Sequence, residues 1–309
     1  MSGLAIGIDL GGTELRAALI GPDGTLRARR QTATDAKGGP QAVIAQMLAL
    51  IAGLGTDGVQ GIGIAAPGPL DPIAGICIAP PTLEGWRDVP LAALLAERTG
   101  LPTRLENDAN AAALGEHRAG AGRGLAHLVY VTISTGIGGG VIEQHRLLHG
   151  RRGMAAEIGH MTLVADGPPC VCGGRGCWEA LASGPALAQA AAQAIAGGAP
   201  TALRLPVTAR DVAEAARRGD ALALDLLRRE ARWLGLGFAN LLHLYSPEAI
   251  IAGGGLSAAL AMMLPEILAT LHSAAMPAYH GAQVLPAALG PDAGLVGAAC
   301  LILDHQDTP

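Results

Sequence analysis

The sequence predicts an α/β protein of two domains, and three observations favour this class. The chain has 309 residues, which is more than one ordinary domain needs and suits two. Half of the residues are hydrophobic and 15% are charged, so each domain can form a sizeable core without disulfide cross-links. Short apolar runs, glycine-rich turns and helical patterns follow one another in a fixed order, and that order then starts again. We therefore expect two similar halves that face a cleft.

The first half opens with apolar runs separated by Gly-Gly and by Gly-Pro-Asp-Gly, a pattern typical of a meander of hairpins. Its strands are predicted at 4–10, 15–20, 26–31, 59–66 and 103–107. Its helices are predicted at 41–54, at 89–99 before a terminating Gly100, and from Asp108 to about Arg118.

The second half repeats this organisation after a seam near 118–124. Its strands are predicted at 125–134, 141–143, 145–150 and 248–252, with a glycine turn at 135–140. Its helices are predicted at 185–195, 209–217, 221–244 and after the glycines at 253–255. We predict domains at 1–118 and 119–291, with a C-terminal helix at about 292–304 packed on the first domain.

The composition excludes several classes of partner. The net charge is −5 and Lys37 is the only lysine, so the chain lacks a basic surface for nucleic acid or an anionic membrane. Aromatic residues make up 2% of the chain, which argues against stacking platforms for single strands. No signal-peptide pattern is visible, and the longest uncharged run, 180–203, contains glycine and proline and is typical of a small-residue core helix. We expect a soluble, cytoplasmic protein with no nucleic-acid and no membrane partner.

Two glycine-rich turns are candidate phosphate sites. In IGIDLGGTELR, Asp9 ends a buried strand and is placed to hold Mg²⁺ through water. Gly11 and Gly12 let backbone N–H groups approach a phosphate, and Thr13 adds a hydroxyl donor. An ordinary hairpin turn explains this stretch equally well. VTISTGIGGGV, at 131–141, repeats the pattern in the second half, so a phosphate chain could be held from both sides. A Walker-type loop is excluded because GxxxxGK[ST] does not occur.

A third glycine turn, in IIAGGGLSAA at 250–259, matches the G-x-G-x-x-A pattern of dinucleotide sites. The acidic residue that such sites need about twenty positions later is missing. A glycine turn that lies against an adenosine ring fits this stretch better.

Asn107 and Asp108 stand where a predicted strand ends and a helix begins. Both residue types are favoured as helix N-caps, and that role alone explains them. A carboxylate at the carboxyl end of a strand is also well placed to act as a general base. Both interpretations stay open at this point.

One loop, EIGHMTLVADGPPCVCGGRGCWEA at 157–180, contains three of the five cysteines and one histidine. A disulfide is disfavoured in an intracellular protein. His160, Cys170, Cys172 and Cys177 match the Cys₃His set of structural zinc, although their spacing is not that of a standard finger. Cys77 and Cys300 lie singly in apolar surroundings and are predicted to be core residues.

Together these segments resemble the ROK family of sugar kinases, bacterial glucokinases in particular, over essentially the whole chain. The matching segments are DLGGT at 9–13, GIAAPGPL at 63–70, ENDAN at 106–110, STGIGGG at 134–140, EIGH at 157–160, CVCGGRGCWE at 170–179 and AGGGLS at 252–257. EIGH followed by CxCGxxGCxE is the most specific of these patterns.

The resemblance implies a two-domain actin-like ATPase (ribonuclease H-like) fold with ATP and sugar in a central cleft, and a homodimer. It implies phosphoryl transfer from ATP to the 6-hydroxyl of a hexose, with Mg²⁺ and structural Zn²⁺ as cofactors and Asp108 as the general base. The residues implied to contact the sugar are Gly68, Asn107, Asp108, Glu157, His160 and Glu179. Those implied to hold the nucleotide and Mg²⁺ are Asp9, Gly11, Gly12, Thr13, Thr135, Gly136, Gly254 and Gly255. Those implied to hold zinc are His160, Cys170, Cys172 and Cys177.

The zinc loop, 157–179, is then a scaffold whose two end glutamates converge on the sugar, and the metal is not the catalyst. His160 would use one ring nitrogen for zinc and the other for a sugar hydroxyl. Two departures from the family pattern are Glu14, where many relatives have lysine or asparagine, and Ser134, which replaces a glycine.

Several alternatives compete with a glucose kinase. Kinases of N-acetylglucosamine, N-acetylmannosamine or fructose belong to the same family, and Glu157 favours glucose or N-acetylglucosamine. A sugar-responsive transcriptional regulator would need an N-terminal DNA-binding domain, which is not expected because the first phosphate motif begins at Asp9. A catalytically silent sugar-binding or chaperone-like ATPase of the same fold is disfavoured by the presence of Asp108, Glu157 and Glu179.

Overall fold

The computed structural model describes residues 3–303. Its strands are β1 (Leu4–Leu10), β2 (Glu14–Ile20), β3 (Leu26–Ala33), β4 (Val59–Ala66), β5 (Leu70–Asp71), β6 (Ile76–Cys77), β7 (Thr103–Asn107), β8 (Leu128–Ile133), β9 (Ile137–Glu143), β10 (Arg146–Leu147), β11 (Ala249–Gly253) and β12 (Gln283–Pro286). Its helices are α1 (Gly39–Leu54), α2 (Leu91–Thr99), α3 (Asp108–Ala119), α4 (Trp178–Ala182), α5 (Gly184–Ala196), α6 (Ala209–Arg217), α7 (Ala221–Tyr245), α8 (Leu260–Ala274) and α9 (Ala293–Leu303).

Two five-stranded sheets have the same strand order. The first runs β3-β2-β1-β4-β7 and the second runs β10-β9-β8-β11-β12. In the first sheet an antiparallel meander of three strands, β1 to β3, is followed by two strands that add in parallel. In the second sheet β9 lies between β8 and the antiparallel β10, and β11 and β12 again add in parallel. The predicted repetition of the first half in the second is therefore confirmed.

The parallel strands determine where the candidate residues lie in the first sheet. β1 pairs with β4 through Asp9 and Ala65, and β4 pairs with β7 through Ala66 and Asn107. Because the carboxyl ends of parallel strands meet at one edge of a sheet, Asp9 and Asp108 leave the sheet at the same edge.

The second sheet repeats this arrangement. β8 pairs in parallel with β11, and Thr132 lies opposite Gly253. Thr132 is one residue before the end of β8, and Gly253 is the last residue of β11. The turn that contains Thr135 and the turn that contains Gly254 consequently follow at one edge of the sheet.

The described chain divides into two compact units. The first contains the residues up to Ala126, then Gly140–Ala156, and the residues from Ala288 onward. The second contains His127–Gly139 and Glu157–Ala287. The chain thus crosses between the units after residues 126, 139, 156 and 287, and the second of these crossings lies inside β9. The domain boundaries 1–118 and 119–291 stay a prediction.

Helix α9 returns to the first unit and packs on its sheet and on α3. Glycines permit this close approach, because a Cβ at Gly63 would overlap the carbonyl oxygen of Ala298 and a Cβ at Gly7 would overlap that of Leu295. Ala298, Leu295 and Cys300 are buried in this contact region. Residue 304, the end of the predicted helix, lies outside the described residues.

The predicted glycine turn at 135–140 is wrong in its second part. Bends occur only at 134–136, and the glycines at 138–140 are inside β9. Close packing explains them: a Cβ at Gly139 would overlap the side chain of Ile158, and a Cβ at Gly140 would lie 2.6 Å from the Cβ of Ala113. The short strands β5 and β6 and the edge strand β12 were not predicted.

One segment, Gly255–Ala274, is long and apolar enough to cross a membrane by length and composition alone. A core helix passes the same criterion. One third of the apolar window, 33%, is buried inside the protein, and Met263, Ile267 and Leu271 are among the buried residues.

Candidate active site

Asp9 lies at the carboxyl end of β1, and its carboxylate forms an ion pair with Arg16, its cross-strand neighbour. Burial raises the pKa of Asp9, while the guanidinium of Arg16 opposes this rise. The same guanidinium lies 3.7 Å from the carboxylate of Glu14. The extra negative charge that Glu14 brings to this turn is therefore partly balanced.

Backbone hydrogen bonds fix the first glycine turn. Gly11 N–H donates to the Glu14 carbonyl at 2.9 Å, and the Thr34 hydroxyl donates to the Gly11 carbonyl at 2.7 Å. A Cβ at Gly12 would lie 2.8 Å from the Cβ of Thr82, so no larger residue fits without a shift. Thr13 is exposed beside them. The contacts of this turn with phosphate stay a prediction.

Asn107 caps helix α3, and Asp108 is the first residue of that helix. The side-chain oxygen of Asn107 accepts hydrogen bonds from Ala109 N at 2.9 Å and from Asn110 N at 3.2 Å. The capping interpretation is thus correct for Asn107, and its amide NH₂ is the part left for a ligand. A Cβ at Gly68 would lie 3.6 Å from that nitrogen, so Gly68 is close to it.

Asp108 is exposed at the N-terminus of α3, and one of its carboxylate oxygens accepts a hydrogen bond from Ala109 N at 2.8 Å. The positive end of the helix dipole favours the ionised carboxylate at this position. An exposed, ionised carboxylate with a fixed direction is chemically suited to accept a proton from a hydroxyl.

Sequence patterns did not predict that Glu106 and His149 support the segment of Asn107 and Asp108. Glu106, the last buried residue of β7, is 1% exposed. Its Oε1 accepts from Asn107 N at 2.8 Å and from Asn110 Nδ2 at 2.9 Å, and its Oε2 lies 2.7 Å from His149 Nε2. A charged residue at an inward position of a strand was the available signal, but its histidine partner is 43 positions away.

The second glycine turn, at 134–136, lies in the second unit and meets Glu179. The carboxylate of Glu179 accepts from Ile137 N at 2.9 Å, and a Cβ at Gly136 would overlap the same oxygen. Thr135 is exposed on this turn. The predicted sugar ligand Glu179 is consequently tied to the predicted phosphate turn.

The third glycine turn lies beside the second. Gly254 has a φ of 85°, and a Cβ there would lie 2.5 Å from the carbonyl oxygen of Ile133. A Cβ at Gly255 would lie 3.7 Å from the hydroxyl oxygen of Ser134. Glycine is therefore required at position 254, where the backbone is left-handed and the neighbouring strand is in contact.

Glu157 begins a 3-10 turn, Ile158–His160, and is exposed. A Cβ at Gly159 would overlap the carbonyl oxygen of Ile137, so the turn packs directly on the start of β9. The structure thereby brings the 3-10 turn, the second glycine turn and Glu179 to one region of the second unit.

The four predicted zinc ligands converge. The ligand atoms of His160, Cys170, Cys172 and Cys177 all lie within 4.8 Å of one another. His160 Nδ1 lies 3.6 Å from Cys170 Sγ, and Cys172 Sγ lies 3.6 Å from Cys177 Sγ. Tetrahedral zinc at about 2.3 Å from each sulfur separates its ligands by a similar distance. The donor set therefore fits Zn²⁺.

The surroundings of Cys172 favour a thiolate. Gly174 N–H lies 3.4 Å from its sulfur, and this hydrogen bond lowers the pKa of Cys172. The isolated Cys77 behaves differently, since burial raises the pKa of its thiol to about 12. Cys77 and Cys300 are both buried, as predicted.

The predicted site residues form two sets, one in each unit. Asp9, Gly11, Gly12, Thr13, Gly68, Asn107 and Asp108 belong to the first unit. Thr135, Gly136, Glu157, His160, Glu179, Gly254, Gly255 and the three cysteines belong to the second.

Comparison with known proteins identifies the family of this arrangement. A model of the ROK family matches residues 5–305, nearly the whole chain. The chain belongs to the ROK family.

Within this family the chain is similar to kinases of different sugars. It is 37% identical over 314 residues to a glucokinase of Thermotoga maritima, covering 97% of each chain. It is 37% identical over 296 residues to an N-acetylmannosamine kinase of Escherichia coli, covering 96% of this chain and 97% of the relative.

A solved structure gives the same result. The crystal structure of a ROK family glucokinase from Streptomyces griseus, in complex with glucose and AMPPNP, matches with a TM-score of 0.84 and 40% identity. The match covers 98% of this chain and 100% of that chain. The predicted two-domain α/β fold, that of ROK sugar kinases, is thus confirmed.

Proposed function

We propose that this chain is an ATP-dependent hexose kinase that phosphorylates glucose at the 6-hydroxyl. The full-length similarity to glucokinases, including one solved with glucose and an ATP analogue, carries this proposal. The exposed carboxylate of Asp108 at the N-terminus of α3 agrees with it, because such a transfer needs a base beside the attacking hydroxyl.

In this proposal Asp108 accepts the proton of the 6-hydroxyl while that oxygen attacks the γ-phosphorus. The bond between the γ-phosphorus and the β,γ-bridging oxygen breaks, and ADP leaves with that oxygen. The backbone N–H groups of Gly12 and Gly136 and the hydroxyls of Thr13 and Thr135 would orient the phosphates. Gly11, whose N–H donates to the Glu14 carbonyl within the turn, would line the phosphates by its lack of a side chain. Asp9 would hold Mg²⁺ through water, and this ion neutralises phosphate charge when bound. Catalysis then consists mainly of positioning and electrostatic stabilisation.

The sugar would be recognised by the Asn107 amide and by Glu157, His160 and Glu179, with Gly68 beside them. Each carboxylate accepts strong hydrogen bonds from ring hydroxyls. Gly254 and Gly255 would face the adenosine.

Zinc would act as a scaffold in this account. Held by His160, Cys170, Cys172 and Cys177, it would fix the loop between Glu157 and Glu179. These four ligands would complete a tetrahedral set, so no open position would remain for chemistry.

The second candidate substrate is N-acetylmannosamine, because a kinase of that sugar is as similar to this chain as the glucokinases are. Glu157 favours glucose, since the family resemblance associates this glutamate with glucose and N-acetylglucosamine kinases. We further infer, from the resemblance alone, a cytoplasmic homodimer.

The test is ADP release measured with ATP, Mg²⁺ and one sugar at a time: glucose, mannose, fructose, N-acetylglucosamine or N-acetylmannosamine. Release that requires sugar, with the highest kcat/KM for glucose, is expected. Asp108→Asn keeps the shape of the residue and should lower kcat by roughly 10²–10⁴-fold with little change in sugar affinity. Wild-type protein that releases ADP equally with and without sugar would refute the proposal.

A further inference from the structure

Glu106 is a buried carboxylate that joins the segment carrying Asp108 to His149. One of its oxygens accepts hydrogen bonds from the backbone N–H of Asn107 and the side chain of Asn110, and the other lies 2.7 Å from His149 Nε2. A buried carboxylate oxygen without a donor is costly, because the protein interior does not replace the lost water. His149 therefore completes the support of this segment.

His149 also shapes the loop on its other side. Its carbonyl accepts from Ala155 N at 3.2 Å, two residues before Glu157. The intervening backbone is constrained, because Gly153 has a φ of 71° and packs on Pro72. His149 thus contacts Glu106, beneath the proposed base Asp108, with its side chain. With its backbone it holds the loop that leads to Glu157, a proposed sugar ligand.

The electrostatic surroundings of His149 agree with this arrangement. The hydrogen bond that His149 donates to the Glu106 carboxylate raises the pKa of His149. The side chain of His149 is 40% exposed, whereas that of Glu106 is 2% exposed, so solvent reaches the pair from the histidine side. Glu106 is the charged group that acts on the imidazole.

We propose that His149 is a positioning residue for Asp108, acting through Glu106 and Asn107. This inference rests on the proposed function, in which Asp108 is the base. Asn107 connects Glu106 to the start of α3, because its backbone N–H donates to the Glu106 carboxylate while its side chain caps the helix. Loss of the imidazole lets the carboxylate turn toward water, and the start of α3 moves with it. A displacement of about 1 Å at a reacting group can cost about 10²-fold in rate.

The test compares His149→Ala, His149→Gln and the control His145→Asn. His145 lies in the same segment, has a φ of 64° that asparagine tolerates, and pairs with His117 rather than with Glu106. We expect His149→Ala to lower kcat by about 10- to 100-fold, with the KM for ATP within about twofold of wild type. His149→Gln, which keeps a donor, should retain more activity, and His145→Asn should match wild type.

Added imidazole provides a sharper readout. Because His149 is partly exposed, its removal leaves a site open to solvent, and imidazole should restore at least part of the kcat lost in His149→Ala. A purely structural loss would not respond to imidazole. A kcat within about twofold of wild type, or a loss that neither imidazole nor His149→Gln relieves, would overturn the proposal.

Hydrogen exchange separates this proposal from the proposed function. Backbone amides at 105–112 should exchange faster in His149→Ala than in wild type or His145→Asn. Unchanged exchange in a protein that phosphorylates hexose overturns only the role of His149. A second outcome is faster exchange at 105–112 in His149→Ala together with a wild-type protein that releases no ADP in response to hexose. This outcome overturns the proposed function, and with it the role of His149 and Glu106 in catalysis.

Discussion

Glu230 provides a direct test of how the second unit is packed. It occupies the buried side of α7 between Leu227 and Leu234, is 3% exposed, and its Oε1 has no hydrogen-bond partner among the described residues. Burial raises the pKa of Glu230 from the ordinary 4.5 to about 8. The native protein therefore holds this carboxyl group as the neutral acid at neutral pH.

The sign and size of the effect follow from these two values. Between pH 4.5 and about 8 the native state binds one proton more than the unfolded state, so stability falls as the pH rises. The contribution is fully present below pH 4.5 and lost above about pH 8. At roughly 1.4 kcal/mol for each pKa unit, it amounts to about 5 kcal/mol at most.

Glu230→Gln removes the titration and keeps the shape. Its free energy of unfolding should equal that of wild type near pH 5 and exceed it by several kcal/mol at pH 9, in urea titrations followed by circular dichroism. The exposed Glu214 of α6 supplies a control for replacing a helix glutamate by glutamine, and Glu214→Gln should not reproduce the several-kcal/mol gain at pH 9. A Glu230→Gln difference that does not change between pH 5 and pH 9 would refute the buried neutral acid.

Two further predictions concern structural groups. Cys172→Ser should lose the bound metal, expected at about one zinc per chain by elemental analysis, together with sugar affinity; metal-free wild type with full activity would contradict the scaffold role. Glu116→Ala should destabilise the protein by at least about 3 kcal/mol in urea titrations, because this buried carboxylate accepts from Ala121 N, Ala288 N and Leu289 N and each loses its acceptor. Glu116→Gln keeps one acceptor oxygen and should cost less, and equal effects of the two substitutions would show that the hydrogen bonds are not the cause.

Local patterns were sufficient for most of the elements. The strand β1 and the helix α6 were predicted with the bounds that the structure has, because alternation, caps and turn residues act within a few positions. The glycines at 138–140 misled the prediction, since glycine is used both in turns and where two elements pack closely, and only the neighbours distinguish these cases.

In the candidate site, too, the residues that lie close together in the sequence were predictable and the long-range contacts were not. The Cys₃His set was predictable because its members lie in one short loop, and the structure gathers their ligand atoms; its occupation by zinc stays a prediction. The contact between Glu106 and His149 was not predictable, since each residue has an ordinary local explanation and only the tertiary fold joins them. The bond from Ile137 N to Glu179 is long-range in the same sense.

The most direct test of the central claim is the product itself. Purified protein is incubated with ATP, Mg²⁺ and uniformly ¹³C-labelled glucose, and the reaction is followed by ³¹P and ¹³C NMR. The account predicts that ADP and glucose 6-phosphate appear in equal amounts, with phosphorus coupled to carbons 6 and 5 and to no other carbon of the sugar, and that Asp108→Asn slows the appearance of both by roughly 10²–10⁴-fold. ADP that accumulates with free phosphate and unmodified glucose, or phosphate on another hydroxyl, would contradict it.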